Sequence, residues 1–585
     1  MSRFGRLVSL ARGTGQTMVD TLRWRSDPDF VELVRTAARV APGAAKLALP
    51  WLVKARRGHE ATLLSVVETN ARHIPDELAL QMDDQHVSWG ELEAQTSEVA
   101  RVLSDLGVRR GQVVALMARN TPLYLAVVLG VTRLGGITAL INWHLEGAAL
   151  EHAVRAAGAE VALVEADFAA RFAERDLPLR HLVTFGDARA PEGLEARMAA
   201  AHGGTFPRAS VDASEDFVFI YTSGTTGLPK PCRVTHARAL LAGAGFSALM
   251  FRFEPGDKLY SVLPLYHSSA LLIGAGSAIV ARRPLALREA FSARAFWPDV
   301  QRYQATATLY IGELARYLLH TPPCPEERHN PLRVAVGNGM RADVWLPFAE
   351  RFGIAEIREF YGATEAPLTI FNITGKPGSV GHVPLRRIGP IRLARYDVVE
   401  DQLIRDAAGF AIECAPGEVG QLVMRIKDDP GAGLGGFRGY TDEKATQKKI
   451  VESLFEPGDR YFLSGDLLRR DEADFFYFVD RIGDTYRWKG ENVSTAEVEE
   501  VVGRAPGVRG AAVVGVTVPG HEGRAGLCAL VCEGDFDPQG FFAHVQELPR
   551  YAQPVFVRVM GELSTTGTFK IQKSALREQG ADPTK

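Results

Sequence analysis

Apolar residues recur along this chain at two alternating spacings. Residues 63–80, "LLSVVETNARHIPDELAL", carry a helical spacing that passes into a strand run. In residues 87–108, "VSWGELEAQTSEVARVLSDLGV", Leu92, Val99 and Leu103 share one stripe of a helix capped by Ser88. Residues 113–118, "VVALMA", read as a short buried strand. An apolar helix, a glycine stop and another strand follow in residues 122–141, and residues 151–166 repeat that order. The alternation resumes over residues 217–360 and predicts parallel sheets with crossover helices. No fixed-period repeat is present, so a solenoid is not expected.

From residue 391 to 478 the texture becomes strand-like, as in "GQLVMRI" and "YFLSGDLLRRDEADFFYFVDR", and predicts a barrel or meander. After Arg481 it changes again. "STAEVEEVVGRAPGV" and "PQGFFAHVQELP" read as helices, "GAAVVGVTV" and "AGLCALVCEG" as strands, together a compact α+β unit. The expected division is an arm over residues 1–60, a large domain over 61–480 and a small C-terminal domain over 481–585, with the boundary at residues 480–484.

Composition bears on partners more than on fold. A chain of 585 residues with 46% apolar and 23% charged positions is ordinary globular material for two or more domains. The net charge of −3 argues against nucleic acid as a partner of the whole chain. Residues 1–58, however, hold eleven Lys/Arg against four Asp/Glu, a local +7 on a body of −10. Within them, residues 30–57 mix Leu47, Leu49, Trp51, Leu52 and Val53 with Lys46, Lys54, Arg56 and Arg57. Two readings fit: an interfacial helix pair on an anionic membrane surface, or packing on the protein's own body. No apolar run reaches the length of a membrane span, and the N-terminus lacks a signal-peptide pattern. Of the five cysteines only Cys528 and Cys532 are close, and "CALVC" reads as a buried strand rather than a metal knuckle. A reducing cytoplasmic compartment fits.

The chemistry concentrates first in residues 221–231, "YTSGTTGLPKP". The stretch lies between the apolar "EDFVFI" and "CRVTH" and reads as a long turn between regular elements. Gly224 and Gly227 let backbone amides converge into an anion nest, Thr222, Ser223, Thr225 and Thr226 add hydroxyls, and Lys230 adds a positive charge. The spacing is not that of a P-loop, because Pro229 precedes the lysine and Pro231 follows it. Its place between apolar strands excludes a flexible linker.

This loop resembles the signature loop of the AMP-forming adenylating superfamily. "YGATE" from Tyr361 to Glu365, "SGD" at Ser464 to Asp466, "DRIGDTYRWKGENVS" and "TTGTFKIQK" resemble its further motifs, in order, over roughly residues 60–580. "LPLYHSSALLIGAG", "YIGELARYLL", "GNGMR", "EFYGATE" and "VPGHEGRAG" are similar to the fatty acid transport protein group of long- and very-long-chain acyl-CoA synthetases. The implied fold is α/β: a large N-terminal domain of parallel-sheet α/β subdomains plus a β-barrel-like subdomain, then a small mobile α+β C-terminal domain.

The resemblance implies that ATP and a fatty acid give acyl-AMP and pyrophosphate, and that CoA then displaces AMP. It implies that residues 222–230 hold the departing phosphates, that Glu365 binds Mg²⁺ and that Thr364 bonds the α-phosphate. Tyr361 with Gly362 is expected against adenine, with Gly337, Asn338 and Gly339 closing near it. Asp466 is expected on the ribose hydroxyls with help from Arg481. Lys570 is expected at the α-phosphate in the first step only, Gly490 along the CoA path, and His267 at the carboxylate end of the acyl site. Tyr310, Ile311, Gly312 and Leu314 are expected to line an apolar tunnel, with room left by Ser268, Ser269, Ala270, Gly274 and Gly276. The superfamily pivot is usually Asp or Lys, but here Gly483 stands at that position. The resemblance further implies a cytoplasmic protein held peripherally at the inner face of a membrane, and a possible homodimer. Other readings are a ligase for a bulky steroid-like carboxylate, a ligase that loads a carrier protein, and a lipid transport protein with weak synthetase activity.

Overall fold

The structure, a computed structural model, describes residues 28–582 except 56–57, 188, 202, 224–227, 384–388, 399, 428–435, 490, 519–520, 522 and 567–570. The predicted alternation is present. Trp89–Asp105 is a helix that Ser88 caps through a reciprocal box with Glu91, and its stripe Leu92, Val99 and Leu103 is buried. Pro122–Arg133 is apolar all round and correspondingly enclosed.

Two sheets organise the large domain. One has six strands in the order His181–Phe185, Val161–Glu165, Val113–Met117, Ile137–Ile141, Asp216–Ser223 and Pro229–Thr235. All neighbours in it are parallel except the last pair. The other contains a parallel block that runs through Leu285–Leu287, Leu259–Ser261, Ala307–Ile311, Val334–Asn338 and Glu356–Tyr361.

At Tyr361 the chain turns back over residues 362–369 into Ile370–Phe371, and the sheet becomes antiparallel. It continues through Gly381–His382, Phe475–Arg481, Arg460–Arg470, Gly420–Arg425 and Ile391–Asp397. The strand-like region is therefore joined edge to edge with the parallel sheet. A short reversal after the last parallel strand makes this join, because an antiparallel neighbour needs no crossover helix.

The C-terminal part pairs Val508–Thr517 antiparallel with Arg524–Cys532 and adds Phe556–Val559 in parallel. Its helices Thr495–Val502 and Pro538–His544 pack on one apolar cluster. Cys528 is fully enclosed within the central strand, and all five cysteines are free thiols, as the strand reading of "CALVC" requires.

In the arm, Pro28–Lys54 is one continuous helix rather than a pair, with Pro42 and Pro50 inside it. Leu33, Thr36 and Val40 face inward at helical spacing, and Leu33 joins Ala473 and Phe475 in a small cluster. This buried stripe explains why the prolines are tolerated, since tertiary packing supports a helix with missing backbone donors. Residues 1–27 lie outside the described part. No helix among the described residues is long and apolar enough to cross a membrane.

Candidate active site

The stretch "YTSGTTGLPKP" is strand at both ends. Thr222 sits opposite Lys230, and Ser223 opposite Pro229, in an antiparallel hairpin. The expectation of a long turn is thereby shortened, because pairing of the two apolar strands zips up to within a few residues of the glycines. Pro231 is tolerated at the outer edge, where its carbonyl accepts from Thr441 N at 3.0 Å and no donor is asked of it. Arg233 N donates to Gly439 O at 2.9 Å, so residues 439–441 lie along the hairpin as an added edge. Gly224, Thr225, Thr226 and Gly227 lie outside the described residues.

The turn 362–369 is held from several sides. The Tyr361 phenol donates to the Asp466 carboxylate, and Arg481 Nε approaches the other carboxylate oxygen to 3.5 Å. Asp466 and Arg481 face each other in the sheet ladder, which fixes that approach. Thr364 Oγ1 lies 3.0 Å from Ser268 Oγ. Arg238, from the first turn of helix His236–Gly245, donates to Ala363 O at 3.2 Å and to Ala366 O at 2.6 Å. The Tyr440 phenol donates to Glu365 Oε1 at 3.0 Å. Burial, reinforced by the facing carboxylates, pushes both phenols well above the ordinary tyrosine range, so they remain hydrogen-bond donors at neutral pH.

Gly337, Asn338 and Gly339 end a parallel strand, and Gly339 takes φ of 81°. A Cβ on Gly312 would stand 1.7 Å from Gly339 O, and one on Gly337 would stand 2.3 Å from Tyr310 O. From beneath, Glu359 accepts from Gly339 N at 3.0 Å, Met340 N at 2.8 Å and Tyr310 OH at 2.8 Å. Burial nevertheless pushes the Glu359 carboxyl up to about 8.

This arrangement gives partners to several of the residues expected along the tunnel. Tyr310 points to the Glu359 side of the sheet, opposite to its neighbour Leu309, by ordinary strand alternation. Gly312 serves close backbone packing against Gly339. At Gly276 the close packing is demanded of its partner: a Cβ on Gly243 would meet Gly276 O at 2.6 Å, whereas one on Gly276 would meet nothing nearer than 3.5 Å. Gly274 is different: a Cβ there would have Leu309 Cδ2 at 3.5 Å and Ser261 Oγ at 4.0 Å, within the π-helical segment Ser269–Ala275.

His267 is half-buried just before that segment, with its ring 4.4 Å from the Tyr266 ring. Its loop is held by Asn120, which donates to Leu263 O at 2.9 Å and Arg288 O at 3.0 Å and accepts from Leu265 N at 2.8 Å.

At the domain junction Gly483 has φ of 90° and open space around it. Asp480, ahead of it, accepts from Thr495 N at 2.7 Å, and Asp484, after it, pairs with Arg577. Gly490 and Lys570 lie outside the described residues.

Glu365 supplies a hard carboxylate oxygen, with the Thr364 hydroxyl one residue before it. No cluster of three or more His, Cys, Asp or Glu able to hold a metal occurs among the described residues. Such a donor set fits a Mg²⁺ ion that arrives with phosphate and water oxygens, and does not fit an all-protein cage.

Sequence reasoning missed Tyr440, Arg238, Glu359 and Asn120. Each is distant in sequence from the group it holds. Glu359 alone stood beside a motif, two residues before Tyr361 of "YGATE".

Residues 67–440 match the AMP-binding enzyme family, and residues 497–570 match the AMP-binding enzyme C-terminal domain. The chain belongs to the AMP-binding enzyme family. It is similar to long-chain fatty acid transport protein 1 of Homo sapiens, with 40% identity over 546 residues, 90% of this chain and 83% of that protein. The medium/long-chain-fatty-acid–CoA ligase FadD6 of Mycobacterium tuberculosis is 38% identical over 535 residues, 90% of this chain and 88% of that one. Among solved structures, the anthranilate CoA ligase AuaEII in complex with anthranoyl-AMP superposes with a TM-score of 0.75 over 89% of this chain and 97% of that one. Its 20% identity makes this a likeness of fold.

Proposed function

We propose that this protein is an AMP-forming acyl-CoA synthetase acting on long- or very-long-chain fatty acids. The carrying observation is the turn 362–369, which sets Thr364 and Glu365 beside the Tyr361–Asp466 pair. The names of the relatives support the substrate class. In the first step the fatty carboxylate attacks the α-phosphorus of ATP, and pyrophosphate leaves. In the second, the CoA thiolate attacks the acyl carbonyl carbon, and AMP leaves with the electron pair of the broken C–O bond.

In this reading Asp466 accepts the ribose hydroxyls and Tyr361 fixes its carboxylate. Gly337, Asn338 and Gly339 flank the adenine against Tyr361 and Gly362. Thr364 donates to the α-phosphate, while Lys230 and the hydroxyls of residues 222–226 receive the charge that grows on pyrophosphate. Mg²⁺ bound at Glu365 would neutralise phosphate charge during that departure. His267 stands at the carboxylate end of the acyl site. Lys570 acts in the first step, and Gly490 lines the CoA path in the second. The three-part division at residues 60 and 480–481 belongs to the same reading, with Gly483 as the pivot.

Coupled ATP, CoA and carboxylate consumption tests the proposal. CoA thioester should form with fatty acids of graded length and rise toward the long chains. Preference for steroid side-chain acids would replace the substrate class, and no ATP–pyrophosphate exchange with any carboxylate would refute the enzyme. We further propose that the basic arm attaches the protein peripherally to the inner face of a membrane. Its +7 charge supports this. Flotation with anionic liposomes should lose the protein when residues 1–58 are removed; unchanged flotation would refute that role for them.

A further inference from the structure

Tyr440 lies outside every motif considered in the sequence, in the segment "FRGYTDEKAT". Its position is nonetheless tightly determined. Its backbone pairs with Cys232, two residues beyond Lys230 on the loop hairpin. The residues on both sides of it are bonded to the same strand, Thr441 N to Pro231 O at 3.0 Å and Gly439 O to Arg233 N at 2.9 Å. The Thr446 hydroxyl accepts the Tyr440 backbone N–H at 2.9 Å. A Cβ on Gly439 would collide with Thr446 at 2.3 Å, so the approach of this segment is close. The ring is buried, and its hydroxyl reaches Glu365 Oε1 at 3.0 Å.

We infer that Tyr440 is a positioning residue that ties the metal-binding carboxylate to the phosphate loop. The inference rests on the proposed AMP-forming reading and adds a residue to it. The Tyr440 backbone is held on the loop hairpin while its phenol holds Glu365, so one residue links the two. Donation to Oε1 restricts rotation of the carboxylate and leaves Oε2 to face a cation that comes with the nucleotide. The metal ligand on one turn and the loop that grips the phosphates on another are thereby set at a fixed separation. A segment from the antiparallel side of the sheet sets that separation, and neither motif contains it. Phenylalanine at 440 would keep the ring packing and the backbone pairing and remove only the bond to Glu365.

The test is Tyr440→Phe in the full-length protein. Mn²⁺ is titrated by electron paramagnetic resonance with saturating α,β-methylene-ATP, and AMP is titrated without metal. We expect Mn²⁺ binding in the nucleotide complex to weaken by about 10-fold, the scale of one lost hydrogen bond to a charged group. AMP affinity should stay as in the wild type, and the melting temperature should stay within about 2 °C. Acyl-AMP formation should require correspondingly more Mg²⁺, while thioester formation from supplied acyl-AMP is unaffected. Equal Mn²⁺ affinity in variant and wild type overturns the inference. So does parallel weakening of Mn²⁺ and AMP, which marks a general structural role. Wild-type protein that shows neither nucleotide-dependent Mn²⁺ binding nor ATP–pyrophosphate exchange would refute the enzyme reading itself, a result distinct from either.

Discussion

The turn 362–369 and the junction at residues 480–485 each follow a strand of the same sheet and are built in opposite ways. At the turn, Ser268, Arg238, Tyr440 and Asp466 each fix a different residue, and all of them come from the large domain. At the junction the anchors lie on either side of a free point. Asp480 holds Thr495 and Asp484 holds Arg577, but a Cβ on Gly483 between them would enter open space. Stabilising charge that appears in a transition state requires donors that do not reorganise, the part the proposed function gives the turn. A change of domain orientation requires one residue that can absorb a large backbone rotation, and a glycine at positive φ has the widest choice. The contacts that span the junction, Asp480 to Thr495 and Arg341 to Ala496 O at 3.1 Å, belong to the orientation seen here.

The contrast can be broken from either side. The largest effect is expected for Lys570→Ala. Acyl-AMP formation should fall by about 10²–10³-fold, while thioester formation from supplied acyl-AMP persists. Single-turnover assays of the two steps read this, and an equal loss in both would deny that the domains work in separate orientations.

The next is a pH effect on the rigid side. Glu359 is raised to about 8 by burial, so the native state holds a proton that the unfolded state releases at the ordinary glutamate value. Its contribution to stability is therefore complete at low pH and is lost as pH rises toward about 8. Unfolding free energies in urea between those limits should decline with pH in the wild type. The decline should be shallower in Glu359→Gln, which mimics the neutral acid; identical slopes would mean that the carboxyl is already ionised.

Gly312→Ala sets a Cβ into Gly339 O and should lower stability by about 1–3 kcal/mol, with weaker AMP binding by calorimetry. Asp480→Ala should leave AMP binding alone and raise amide hydrogen exchange in residues 485–496 by about 10-fold. Protection that stays at the wild-type level would show that Asp480 does not hold the junction. Arg341→Ala is the mildest, with less than about 1 kcal/mol expected for a partly exposed contact.

Much of the fold was legible because its determinants are local. Leu92, Val99 and Leu103 share a stripe whatever surrounds them, and Ser88 with Glu91 caps that helix by contacts three residues apart. Motif residues were legible for a related reason: Thr364 and Glu365 are adjacent, so "YGATE" displays them together. Tyr440 and Arg238 were not, because they act on this turn from segments 75 and 125 residues away. The packing partners of Tyr310 and Gly312 were not legible, because a strand-to-helix run alone does not say which distant segments it meets. The arm was left between two readings, and the inward stripe Leu33, Thr36 and Val40 shows one helix packed on the body.

The sequence by itself determined the alternation of strands and helices, the family motifs and the identity of the groups able to handle phosphate charge. Those properties depend on residue type and short spacing. Only the tertiary structure decided which oxygen of Glu365 is bonded, what holds residues 337–339 from below and which anchors flank Gly483. These depend on distances between segments far apart in the chain, which are fixed when the sheets close and the side chains between them have nowhere else to go.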